Sequence, residues 1–155
     1  MTKSVLGRFA ALIAAVVIVA GCGAATASAG RPVPKSAVSR LIKIAKRAAR
    51  LNGDRHPLWA TAVLTTHEKA LLSATPGDTV SNRRHVQVYL VTIRGRFVCN
   101  VCTGPSGSKA PRGRYISLVI DAKTFNGMDY GIGPKRPPVA PASLGPVTYL
   151  IGHQA

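Results

Sequence analysis

The sequence predicts an α+β fold: one N-terminal amphipathic helix packed on a small antiparallel sheet (a meander), after a signal peptide and a tether. Two periodicities carry this prediction. Apolar residues recur every three to four positions over residues 36–51, the spacing of one helix face. Further along, residues 86–98 and 115–121 alternate on a period of two, the spacing of a strand. A single helix followed by strands separated by turn signals buries its apolar stripe on one face of a sheet.

In the helix, Val38, Leu41, Ile42, Ala45, Ala48 and Ala49 line one face, and Lys35, Arg40, Lys43, Lys46, Arg47 and Arg50 take the opposite arc. Asn52-Gly53 supplies the stop, since glycine tolerates the left-handed conformation that ends helices. His56-Pro57 then breaks the chain. Residues 59–66 are rich in β-branched and small side chains and suit a strand. The run Val63, Leu64, His67, Ala70, Leu71 suits a helix almost as well, so residues 59–72 stay open between the two. Residues 75–78 form a turn. In the strand that follows, Val86, Val88 and Leu90 point one way and Tyr89, Val91 and Ile93 the other; apolar character on both sides marks a central strand. Gly95 suggests a bulge. After a Gly/Pro/Ser-rich loop at 103–113, Ile116, Leu118 and Ile120 alternate with Tyr115, Ser117 and Val119. Asn126-Gly127 signals a hairpin turn into a short strand near 128–132. Residues 133–146 read as a proline-rich extended segment, and residues 147–151 as a last strand.

Ahead of this single domain, assigned to residues 35–151, lies an export pattern. Lys3 and Arg8 form a basic start, residues 9–20 an apolar middle, and Gly21 onward a small-residue exit. An apolar run of about 12 residues falls short of the roughly 20 that span a bilayer as a helix. Val19-Ala20-Gly21-Cys22 resembles the lipobox of bacterial lipoproteins, an aliphatic residue and two small ones before the cysteine whose thiol takes the lipid. The resemblance implies removal of residues 1–21, a lipid on Cys22, and a protein held outside the cytoplasmic membrane, with residues 22–34 as its tether. Two alternatives remain open: ordinary cleavage after Ala27-Ser28-Ala29, which would secrete a chain starting at Gly30, and an uncleaved span over residues 9–30.

Charge is the second global feature. The chain holds 21 Lys and Arg against five Asp and Glu, a formal +16. Only Lys3 and Arg8 depart with the signal, so the mature chain carries +14 on 134 residues. With so few acids the positive field reaches into solvent and attracts polyanions. Candidates outside a bacterium are anionic lipid and wall phosphopolymer, with Lys43, Lys46, Arg47 and Arg50 as the anion-binding set. Arg83, Arg84, Arg94 and Arg96, with Lys109, Arg112 and Arg114, form a second basic group that would meet around the 103–114 loop. Aromatics able to stack on bases are few, which argues against nucleic acid.

With Cys22 lipidated, Cys99 and Cys102 remain as a pair in an oxidising compartment, and a structural disulfide is expected. In straight strand the two Cα atoms would lie roughly 10 Å apart. A disulfide spans at most about 7 Å. The strand must therefore stop at Cys99 and turn through Asn100. Free thiols, a redox dithiol or a metal half-site are the alternatives. Residues 103–107 cannot open the helix that a redox motif uses, and His56, His67, His85 and His153 lack ligand spacing. No metal, cofactor or catalytic residue is assigned: Ser106 stands in Gly-Pro-Ser-Gly rather than a nucleophile elbow, and five acids provision carboxylate chemistry poorly.

Residues 36–37 leading to Lys43-Ile44-Ala45, then Val88-Tyr89-Leu90-Val91, then Leu118-Val119-Ile120-Asp121-Ala122-Lys123-Thr124, are similar to a PepSY-type domain, and the chain also resembles small exported actinobacterial proteins. The pattern would cover most of residues 36–132, departing where Phe125 and Asn126 precede Gly127 and in the long 103–114 loop. It implies a non-catalytic binding or inhibitory module. The reading that follows is a lipid-anchored, non-catalytic envelope module with a basic surface. An inhibitor or accessory protein binding a protein partner is the alternative, and an enzyme comes third.

Overall fold

The structure, a computed structural model, describes residues 30–74, 83–99, 109–137 and 139–152. The first helix, α1, runs Lys35–Leu51. Its N-terminus has no side-chain cap and no acidic residue in the first turn; the Ala37 N–H donates to the Pro34 carbonyl instead. The far end is closed more thoroughly. Asn52 donates through both its backbone N–H and its side-chain amide to the Ala48 carbonyl, and Gly53, at φ 85°, donates to Arg50. These bonds satisfy carbonyls that a helix end otherwise orphans. The buried stripe is Ala37, Leu41, Ala45 and Ala49, with Val38, Ile42 and Ala48 half-buried beside it. Three alanines in that stripe let the helix axis lie close to the sheet.

Five strands form one antiparallel sheet: β1 (Trp59–Thr66), β2 (Gln87–Val98), β3 (Arg112–Asp121), β4 (Gly127–Gly133) and β5 (Thr148–Ile151), in the order β4-β3-β2-β1-β5. The first four make the expected meander, and β5 returns to the outer side of β1. β2 lies at the centre. Its alternation is as expected: Tyr89, Val91 and Ile93 enter the core beneath α1, while Val88 and Leu90 face the other way. The same holds for β3, where Ile116, Leu118 and Ile120 join the α1 side and Val119 the opposite side.

The reverse face corrects the one-helix expectation. Residues 59–72 are neither strand nor helix alone. β1 runs to Thr66, and a second helix, α2 (His67–Ala74), starts at the next residue. The first donors of α2 are satisfied from outside the helix: the His67 N–H bonds to the Val86 carbonyl, one step beyond the Thr66–Gln87 pair, and the Glu68 N–H bonds to the Arg84 carbonyl. α2 then lays Ala70 on Val88, Leu90 and Val119. The proline-rich segment is likewise more than extended chain. It crosses this second face from β4 to β5, burying Pro137 and Pro141, making a 3-10 turn at Pro141–Ser143, and accepting a hydrogen bond at the Val139 carbonyl from the Ser73 hydroxyl (3.1 Å). The fold also takes in residues assigned ahead of the domain. Val33 is buried in the α1-side core, so the fold takes over from about Gly30.

The bulge at Gly95 is present as a register shift between Arg94 and Phe97. Asp54 sits over it: one carboxylate oxygen accepts the Arg96 N–H at 2.8 Å, the other the His56 N–H at 2.8 Å. A Cβ at Gly95 would come 2.3 Å from the Asp54 carboxylate and 2.6 Å from the Phe97 ring. Gly95→Ala should therefore destabilise the protein by about 1–3 kcal/mol, the range for overpacking. A lowered urea midpoint at unchanged m-value is the expected result.

Candidate functional site

Helical periodicity divides α1 into three stripes, and the site is built from the two that do not face the core. The outermost arc carries Lys43, Lys46, Arg47 and Arg50, all exposed. None of the four has a carboxylate partner among the described residues. Three of the four described acids are occupied elsewhere: Asp54 on the bulge, Asp121 in a turn and Asp129 on a histidine; the fourth, Glu68, lies on α2. The basic set predicted from sequence thus stands together on one solvent-facing surface.

Between that arc and the core lies the third stripe, which the sequence pattern did not reveal as separate. Ile44, Ala48 and Leu51 form one wall of a groove of about 490 Å³, and Arg47 stands at its rim. Leu118 and Ile120 of β3 lie below, and Phe125, Met128 and Tyr130 form the other wall. Leu51 is 56% exposed and Tyr130 40%, so large apolar surfaces face water here. The groove's polar groups are mostly engaged. The Tyr130 hydroxyl donates to Asn52 Oδ1 at 2.8 Å, and burial raises its pKa. Asp129 Oδ2 lies 2.6 Å from His67 Nε2.

The hairpin that supplies Phe125 is held by unusual means. The expected Asn126-Gly127 turn is displaced, since the left-handed residue is Phe125 at φ 62° rather than the glycine. A bulky residue there is strained, by an order of 1–3 kcal/mol. Its ring is clamped 5.5 Å from the Tyr89 ring, with the Arg40 guanidinium 4.3 Å above it. Arg40 also reaches the Thr124 carbonyl at 3.4 Å. A cation over an aromatic face contributes about 0.5–1 kcal/mol at exposed sites. Arg40 therefore serves the hairpin, not the outward arc.

The remaining predicted residues are distributed as follows. Cys22 and Cys102 lie outside the described residues. Cys99 is buried just past the end of β2, its N–H donating to the Pro111 carbonyl at 2.8 Å. The second basic group converges in part: Arg94 and Arg96 stand at the end of β2 that pairs with the start of β3, where Val98 faces Arg112 and Arg94 faces Tyr115 next to Arg114, whereas Arg83 and Arg84 precede the opposite end of β2.

His67 and Asp129 were not paired by sequence reasoning, being 62 residues apart with no local signal. An ionised carboxylate only accepts, so Nε2 is the donor. A catalytic or metal-binding imidazole would use its other nitrogen. His67 Nδ1 is buried with no hydrogen-bond partner, and no cluster of three metal-ligating side chains occurs among the described residues. The pair ties the start of α2 to the edge strand β4. No protein family, curated protein or solved structure matches the chain.

Asp121 begins the hairpin turn, and its Oδ1 accepts from the Thr124 N–H (2.8 Å), the Lys123 N–H (2.9 Å) and the Thr124 hydroxyl (3.1 Å). The Thr124 N–H is the main cause holding this carboxyl below the usual carboxylate range; desolvation opposes it, and Lys123, the Thr124 hydroxyl and Arg83 add to the lowering. A depressed folded pKa makes this stabilisation complete above the unfolded pKa of about 3.9 and removes it as pH falls through the folded value. Asp121→Asn should lower the melting temperature at neutral pH, and the gap to wild type should close in acid.

Proposed function

We propose that the protein is a lipid-anchored, non-catalytic module of the bacterial envelope that lays the basic face of α1 against an anionic surface. The observation that carries this reading is the outward arc of Lys43, Lys46, Arg47 and Arg50 on a helix without an acid. Asp54, Asp121 and Asp129 are committed elsewhere and no described acid pairs with this arc, which leaves it open to a counter-charge from outside the fold. A lipid on Cys22 would hold the arc close to the bilayer on a short tether. Each basic residue near an anionic membrane contributes roughly 1 kcal/mol, within a Debye length of about 8–10 Å. A basic patch then complements an acyl anchor by adding a second attachment and fixing which face meets the surface. Cys99 and Cys102 close a small disulfide at the end of β2 in this reading.

For the anchor, Cys22→Ser should abolish fatty-acid labelling and remove the protein from the membrane fraction. A wild-type chain that takes no label and begins at Gly30 would replace the anchor by ordinary secretion. For the basic face, an unlipidated chain starting at Gly30 should bind phosphatidylglycerol vesicles in a salt-sensitive manner. Replacing Lys43, Lys46, Arg47 and Arg50 by Gln should weaken that binding roughly a thousandfold, with an unchanged circular dichroism spectrum. Binding that persists in the quadruple variant, or that ignores salt, would remove this helix as the contact.

A further inference from the structure

The groove between α1 and the β3–β4 hairpin borders the basic arc directly. Arg47 belongs to both: it lines the groove and stands one turn from Lys43 and from Arg50 along the arc. An amphiphile with an anionic head and an apolar tail matches that order of surfaces. Resting on the membrane-facing reading above, we infer that this groove seats one acyl chain of an anionic phospholipid, with Arg47 and Lys43 on the headgroup phosphate.

Three observations support this occupant. First, the groove of about 490 Å³ falls in the range of ligand sites, roughly 300–1,000 Å³, and its walls are chiefly apolar. The exposed faces of Leu51 and Tyr130 leave water when a chain enters. Second, the groove offers little to a peptide. A peptide brings backbone donors and acceptors that need partners, whereas among the groove's side chains the Tyr130 hydroxyl donates to Asn52 and Asp129 Oδ2 is held by His67. A hydrocarbon chain asks for none. Third, the charge selects the headgroup. Arg47 has no carboxylate partner among the described residues, and Asp129, the acid in the lining, is turned to His67. A neutral zwitterionic head gains less from this rim than a net anionic one. The wall opposite α1 is also fixed in advance: Phe125 is clamped between Tyr89 and Arg40, so the groove needs no ordering when the chain arrives.

The test uses the full lipidated protein in vesicles, where the Cys22 anchor keeps attachment constant. Phosphatidylglycerol or phosphatidylcholine carries a diazirine on one acyl chain, and crosslinked positions are mapped by mass spectrometry. Acetylation of Lys43 and Lys46 is followed in parallel as a report on the basic face. Crosslinks should fall within residues 44–51 and 118–130, in excess for phosphatidylglycerol. Leu51→Glu, at an exposed position, should reduce their yield about tenfold while leaving lysine protection intact. Ala48→Trp, which fills the groove from the helix side, should do the same. Crosslinks confined to other segments, equal yields from the two lipids, or yields unaffected by both variants, with lysine protection preserved, would overturn the groove while leaving the basic face standing. Loss of lysine protection on phosphatidylglycerol together with absent crosslinks would overturn both.

Discussion

Burial of β2 on both faces is the constraint on which the rest of the structure depends. Residues 87–94 pair with β1 and residues 88–98, apart from the bulge, with β3, so over most of its length neither edge is free. Because side chains alternate across a strand, Tyr89, Val91 and Ile93 require a cover on one side and Val88 and Leu90 on the other. A 12-residue strand with apolar residues on both faces cannot be satisfied by a single helix. α1 covers one face, and α2 with the proline-rich crossing covers the other. The crossing is long because it must travel from one sheet edge to the other before β5 can pair beyond β1.

The same constraint decides where the charge goes. α1 meets the sheet through small residues, Ala37, Ala45 and Ala49, around a single large one, Leu41. A narrow contact of this kind leaves more of the helix circumference free than a leucine-rich stripe would. Part of the free surface is the basic arc. Another part, Ile44, Ala48 and Leu51, is apolar and faces the hairpin without closing on it. The groove is thus the gap between a helix held close to the sheet and a hairpin raised at its edge by Phe125.

Scarcity of acids leaves three of the four described carboxylates with structural work. Asp54 accepts from two backbone N–H groups beside the bulge, Asp121 organises the turn, and Asp129 orients His67. Buried or turn-forming carboxylates are kept because removing them leaves donors unsatisfied. None of these three can be redirected to neutralise α1 without dismantling an element. A positive surface is therefore a consequence of how the fold is held together as much as of composition.

The sequence by itself determined the elements whose signals are periodic. The α1 stripe, its Asn52-Gly53 stop, the two-faced alternation of β2, the inward set of β3 and the bulge at Gly95 all depend on neighbours within a few residues. So does the outward basic set Lys43, Lys46, Arg47 and Arg50. Tertiary structure decided what lies between distant segments. Whether residues 67–74 coil or extend turned on N–H groups of His67 and Glu68 finding carbonyls near the start of β2, beyond the reach of local propensity. The turn residue moved from Gly127 to Phe125 because Tyr89 and Arg40, 36 and 85 residues away in sequence, hold that ring. The His67–Asp129 pair and the groove arise from strands brought together across the sheet. Local periodicity specifies which face a residue presents; only the packed chain specifies what stands opposite it.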